Sequence, residues 1–343
     1  MRLSSLTVHI LALNILCSCL PILAAPQVND LFSATELFLA RQEYDSAGAM
    51  LAMQPAGSLL DNDLLYLRAA VEQALLLDYE SYLIDGDRFD RFADSTRKIL
   101  SGRLPHLQGA DSLHCVYYLA GIEGGMAVVQ GKTGSWVSAL KNAASSASRL
   151  KTVMRQDSAI SGALLGIGIY HYYLGKDFGW LPFIKSGSED TGYEEVERAS
   201  RLPFPSDFPA KNSLCWILID RKRYESADSI AQTGLIEVPR STFFLQIRSL
   251  CLYREERYSA AIEFGEKLAA ISAARKPVNW SDLVLASYVL AASYDALGKG
   301  REAKDAGAYI CSAAMPAAYR RMPHIKREMK KIEEILRKYG GEK

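Results

Sequence analysis

The sequence is short of nearly every pattern from which catalysis or metal binding is built. Histidine occurs five times in 343 residues, and beyond the first 25 positions only His106, His114, His171 and His324 remain. None stands in HExxH or another tight ligand spacing, so the paired imidazoles of a helical zinc site are missing. Cysteine offers no CxxC pair. Cys115, Cys215, Cys251 and Cys311 are widely separated in apolar surroundings, where a thiol acts as a small buried side chain. A Cys215–Cys251 bridge between neighbouring helices remains open in an oxidising compartment. No G-x-S-x-G, no P-loop and no strand-borne G-x-G-x-x-G occurs. Ser95 to Lys98 fits S-x-x-K and Lys132-Thr133-Gly134 fits K-T-G, but the S-D-N element is absent and the second motif reads as a turn. Asp85 to Asp90 resembles the start of a calcium loop, yet it lacks the glycine at position six and has Thr96 where glutamate should close the site. These absences exclude a familiar catalytic or metal chemistry and imply no cofactor.

Charge of one sign is lacking too. Lys and Arg number 40 against 39 Asp and Glu, and residues 1–25 hold one basic residue (Arg2) and no acid, leaving 39 against 39 beyond them. Such a balance offers no field for nucleic acid or acidic membranes. Proline is sparse at 12 against 18 Tyr and 11 Phe, which excludes a disordered chain. Beyond residue 25 no apolar run is long enough to span a bilayer.

Residues 1–25 stand apart. A basic start, apolar stretches Leu6–Leu13 and Ile15–Leu23, and small residues Ala24-Ala25 before Pro26 read as a signal peptide, which predicts export to the periplasm or outer membrane. Within it, Leu16-Cys17-Ser18-Cys19 loosely resembles a lipobox, which makes Cys19 a candidate for a lipid anchor.

The strongest positive signal is a repeat. Residues 210–239 and 241–268 align so that Leu218 meets Leu252, Tyr224 meets Tyr258 and Ala227 meets Ala261, each 34 residues apart. In 283–310 the same places hold Leu290-Ala291, Tyr294, Gly298 and Ala303, and the excess length predicts a loop at Arg275–Asn279. This resembles the tetratricopeptide repeat, whose period is about 34 residues. The resemblance implies helix–turn–helix pairs with small residues where helices approach and aromatics wedged between pairs. Fainter copies carry Tyr44 with Ala47, Phe89 with Phe92, Trp136 with Ala139 and Tyr193 with Val196.

Two segments depart from the repeat. Within 159–209, Gly162, Gly166 and Gly168 precede Tyr170-His171-Tyr172-Tyr173, then Trp180 to Phe183. The glycines predict a close helix–helix approach. Tyr170, His171, Tyr172, Tyr173 and Trp180 are candidates for lining a groove for a peptide or a sugar ring, against the plain reading that they pack in a core. In Ala317–Lys343, Met322, Ile325, Met329, Ile332, Leu336 and Tyr339 fall on one helical face opposite basic residues, as a capping helix requires.

The sequence therefore predicts an all-α superhelical solenoid of about seven tetratricopeptide-like helix-turn-helix pairs with a C-terminal capping helix. The expected divisions are 1–25 signal peptide, 26–205 divergent array, 206–314 regular array and 315–343 cap. The expected role is a non-catalytic scaffold for a protein or peptide partner. The alternative is a carbohydrate or small-molecule binder using 170–183.

Overall fold

The computed structural model describes residues 26–54, 61–158, 160, 162–178 and 188–339. The leader with Cys17 and Cys19 lies outside the described residues, as does Trp180. Among the described residues the chain forms sixteen α-helices and no strand. Fourteen of them follow one another as seven pairs. These are α1 (Pro26–Ala40) with α2 (Tyr44–Ala52), α3 (Asp61–Tyr79) with α4 (Tyr82–Arg103), and α5 (Gly109–Thr133) with α6 (Trp136–Gln156). Then come α7 (Gly162–Phe178) with α8 (Ser188–Ala199), α9 (Phe208–Asp220) with α10 (Tyr224–Glu237), α11 (Thr242–Arg254) with α12 (Tyr258–Ala274), and α13 (Trp280–Ala296) with α14 (Gly300–Ser312). A short α15 (Ala317–Arg320) leads to α16 (Pro323–Tyr339). Among the described residues no helix is long and apolar enough to cross a membrane. The chain divides into two compact units, one comprising the residues up to Asp78 with Asp85–Leu214, the other Tyr79–Ile84 with the residues from Cys215 on.

One turn recurs between paired helices. Gln42, Gly134, Lys222, Glu256 and Gly298 take left-handed φ of 61°, 92°, 59°, 60° and 71°. The N–H of the following residue reaches back five positions: Glu43 to the Phe38 carbonyl at 2.9 Å, Ser135 to Gln130 at 2.7 Å, Arg223 to Leu218 at 2.8 Å, Arg257 to Leu252 at 2.9 Å and Lys299 to Tyr294 at 2.9 Å. This six-to-one bond is the Schellman closure of a helix. The next residue opens the second helix, which places Tyr44, Trp136, Tyr224 and Tyr258 at equivalent sites. Glu80, at φ 46°, holds the same place before Tyr82. The aromatic that opens α4 is therefore Tyr82, and the sequence alignment on Phe89 is corrected: Phe89 lies two turns inside α4 with 2% of its surface exposed. The mismatch has a physical origin: α3 and α4 run to 19 and 22 residues, longer than the 13 and 14 of α9 and α10, so the 34-residue spacing does not locate the turn.

The small positions of the repeat do what their size requires. Ala47, Ala227, Ala261 and Ala303 are all 0% exposed. The loop expected at Arg275–Asn279 falls between α12 and α13, and the Asn279 side chain caps α13 by accepting from the Asp282 N–H at 3.2 Å. In the second unit Met322, just before α16, and Ile325, Met329 and Ile332 of α16 cluster with Leu283, Val284, Tyr288 and Val289 of α13. Gly307 of α14 admits Ile332 and Leu336. The four described cysteines are free thiols, so the Cys215–Cys251 bridge left open by the sequence does not form; the Cys215 thiol instead faces the Ala227 carbonyl at 3.5 Å. Burial pushes the Cys115 thiol up to about 11.

In the first unit, Phe32 of α1, Tyr66 of α3 and Tyr118 of α5 stack, with ring centroids 6.0 Å (Phe32–Tyr66) and 4.5 Å (Tyr66–Tyr118) apart. The Tyr118 hydroxyl donates to the Asp63 carboxylate beside them. Desolvation raises the Asp63 acid above the usual carboxylate range, against the opposing pull of that hydrogen bond.

Two measurements test this account. A left-handed non-glycine costs about 1–2 kcal/mol, and glycine returns roughly 0.5–1 of that through backbone entropy. Glu256→Gly is therefore expected to stabilise the chain by about 0.5–1 kcal/mol in urea unfolding; a loss of stability would mean that Glu256 is not left-handed. For Asp63 the folded state holds its proton longer than the unfolded chain does. Its favourable contribution is thus complete below the unfolded value and is lost as pH rises through the folded one. Asp63→Asn should flatten the fall in stability above about pH 4, and an unchanged slope would place the titration elsewhere.

Candidate functional site

The site is built where α7 and α8 come closest. A Cβ at Gly192 would lie 2.3 Å from the Tyr172 backbone nitrogen, one at Gly175 would lie 2.5 Å from that of Glu189, and one at Gly168 would lie 2.9 Å from Glu195 Cβ. The two backbones are in contact, as the glycine pattern of this segment implied. Gly168 belonged to that pattern, whereas Gly175 and Gly192 went unread because they are separated from it along the chain.

This approach decides the fate of the aromatic run. Four successive helical residues point in directions about 100° apart and cannot share one surface. Tyr172 is 0% and Tyr173 6% exposed, their rings packed edge to face at 5.1 Å. These two of the proposed groove residues are core residues. Tyr170 and His171 stay partly exposed.

Beside them, α6, α7 and α8 enclose an open cleft of about 530 Å³ lined by Ser148, Lys151, Met154 and Arg155 of α6, Leu164, Ile167 and His171 of α7, and Glu195 of α8. Ser148, Lys151 and Arg155 on one wall and Leu164, Ile167 and His171 on the other recur every three or four positions, so each wall is one helical face. Met154, Leu164 and Ile167 supply an apolar floor. His171 Nδ1 lies 2.7 Å from Glu195 Oε2. A carboxylate only accepts, so Nδ1 carries the proton in that bond. Ser188 Oγ donates to the His171 carbonyl at 3.0 Å, tying the start of α8 to the same turn. Lys151 Nζ stands 5.9 Å from the Tyr170 ring centroid, and Arg155 donates to Thr152 Oγ1 at 3.1 Å. Burial raises the Tyr170 phenol. Of the cleft residues, sequence reasoning singled out His171 alone; the cations of α6 had no motif to betray them, although α6 contains no Asp or Glu.

A second constellation, invisible in the sequence, lies in the second unit. Ser281 Oγ donates to Glu80 Oε2 at 2.5 Å and is 2.7 Å from His324 Nε2, which is itself 2.8 Å from Glu80 Oε2. Nucleophile activation needs the hydroxyl and the carboxylate on opposite ring nitrogens. Here both meet Nε2 and the carboxylate accepts the serine hydroxyl's hydrogen bond, so the three groups bind one another. Among the described residues no cluster of three His, Cys, Asp or Glu could hold a metal ion. Asp85 to Asp90 is helical, inside α4.

The α7–α8 contact is tested by one added methyl group. Gly192→Ala is expected to cost about 1–3 kcal/mol through overpacking. Gly48→Ala, on an exposed face with nothing within 4 Å, should gain up to about 1 kcal/mol. Equal effects in thermal melts would show that the backbones do not touch.

No protein-family model matches the sequence, and no curated protein matches it. Among solved structures the chain is similar to a tetratricopeptide repeat protein from Parabacteroides merdae, at 13% identity over 90% of this chain and 100% of that one, with a TM-score of 0.41. It is also similar to the tetratricopeptide repeat domain of P58(IPK), at 15% identity over 92% of this chain and 100% of that one, with a TM-score of 0.27. The recurrent turn and its small-residue contacts, rather than these superpositions, carry the conclusion that the fold is all-α and built of tetratricopeptide-like helix pairs.

Proposed function

We propose that this chain is a non-catalytic scaffold, exported to the cell envelope, that binds a protein or peptide partner. The observation that carries the reading is the open cleft on α6, α7 and α8, whose two helical walls combine an apolar floor with cations at the rim. A cleft of this shape suits a segment laid between helices. Export rests on the charge and apolar pattern of residues 1–25. Of the rings on which a sugar-binding alternative rests, Tyr172 and Tyr173 are buried, which leaves Tyr170 as the partly exposed ring among the described residues.

Crosslinking of the full chain in its native cells, followed by fractionation and mass spectrometry, tests both halves. The expected result is a processed chain in the envelope fraction, joined to one or a few proteins in near-stoichiometric amount. A chain recovered from the cytosol with its leader intact would overturn export. A chain recovered without any protein would overturn the scaffold.

A further inference from the structure

The exposed face of α6 extends the cleft into a longer surface of one charge sign. Helical spacing puts Val137, Leu140, Lys141, Ala144, Ser148, Lys151 and Arg155 within one stripe, and all seven are exposed. Val137 and Leu140 are 87% and 44% exposed, so large apolar side chains face solvent at the N-terminal end of the stripe. The C-terminal end carries the cations and the cleft. The 21 residues of α6 include Lys141, Arg149, Lys151 and Arg155 and no Asp or Glu. Glu123 neutralises Arg149 at 3.0 Å. Lys141, Lys151 and Arg155 form no ion pair among the described residues; Lys151 stands near the Tyr170 ring and Arg155 bonds a threonine hydroxyl. Ordinary solvated helices intersperse both signs, because i,i+4 pairs of opposite charge stabilise them. This helix forgoes such pairs along its exposed face.

We propose that this stripe of α6, together with the cleft, is the docking surface for an acidic amphipathic segment of a partner protein. The inference rests on the scaffold reading and names the chemistry of its partner. Apolar side chains of that segment would cover Val137 and Leu140 and enter the floor formed by Met154, Leu164 and Ile167. Its carboxylates would meet Lys141, Lys151 and Arg155. From Lys141 to Arg155 the stripe runs about 21 Å at 1.5 Å per residue, the length of about four helical turns. Glu195 on the opposite wall, held by His171, repels carboxylates there and so fixes which side of the segment carries charge.

The test uses the full chain and a displayed library of random sixteen-residue peptides. The expected selection is a consensus with two or more Asp or Glu within a turn of apolar residues. The selected peptide should bind at least tenfold more weakly to Lys151→Glu/Arg155→Glu, and more weakly in high salt. Lys326→Glu/Lys330→Glu, the same charge change on the exposed face of α16, should leave binding unaltered. A neutral or basic consensus, no enrichment, or equal loss in both double variants would overturn the proposal. Co-sedimentation with phosphatidylglycerol vesicles that is lost in the α6 variant, with no peptide enriched, would also overturn it and assign the stripe to a membrane surface. Repeating the cellular crosslinking with Lys151→Glu/Arg155→Glu separates the two readings. Partners retained by that variant would leave the scaffold standing and remove α6 from it, whereas a wild-type chain with no partner would end both.

Discussion

The structure depends on a hydrogen bond that reaches back five residues across a left-handed turn. Wherever it forms, the first helix stops and the second starts at once, so two helices are committed to lie side by side before any tertiary contact is made. Everything larger follows from that commitment. Small residues such as Ala227, Ala261 and Ala303 matter because the turn has already brought the helices together, and any larger side chain there would have to force them apart. That four of the six left-handed residues at these turns are Gln42, Glu80, Lys222 and Glu256 rather than glycine means that the hairpins tolerate local strain that packing offsets.

Between α7 and α8, close approach is secured by glycines on both helices. The consequence for the site is direct. With the two backbones touching, Tyr172 and Tyr173 have no room on that side except as core, while Ile167 and His171 are rotated toward α6. The cleft is thus a by-product of how tightly α7 and α8 pack, and its apolar floor consists of the residues left over at the edge of that packing.

The cleft would be a plain notch between helices if α6 were an ordinary surface helix. Its lack of acid gives the notch a chemical character. Lys141, Lys151 and Arg155 form no ion pair among the described residues, and Val137 and Leu140 are 87% and 44% exposed. Both features fall on the same face of the same helix, the face assigned to the proposed partner segment.

The sequence by itself determined that this chain is helical, that helices pair with a period near 34 residues in the C-terminal half, which alanines are buried, and which face of the last helix is apolar. Those properties are local: they depend on the spacing of residues within one or two turns, and spacing is what a sequence displays. The upstream pairs stayed faint because α3 to α6, at 19 to 25 residues, are longer than the 13 or 14 residues of α9 to α11, so the 34-residue spacing is lost there and Phe89 stood in for Tyr82. Only the tertiary structure decided which rings of Tyr170–Tyr173 face outward, because the answer lies in Gly192, a residue on another helix. The same holds for the meeting of Glu80, Ser281 and His324, and for the cleft that joins Lys151 to His171 and Glu195. Each requires knowing which faces of separate helices are covered, and coverage is set by packing between elements that the linear order of residues does not specify.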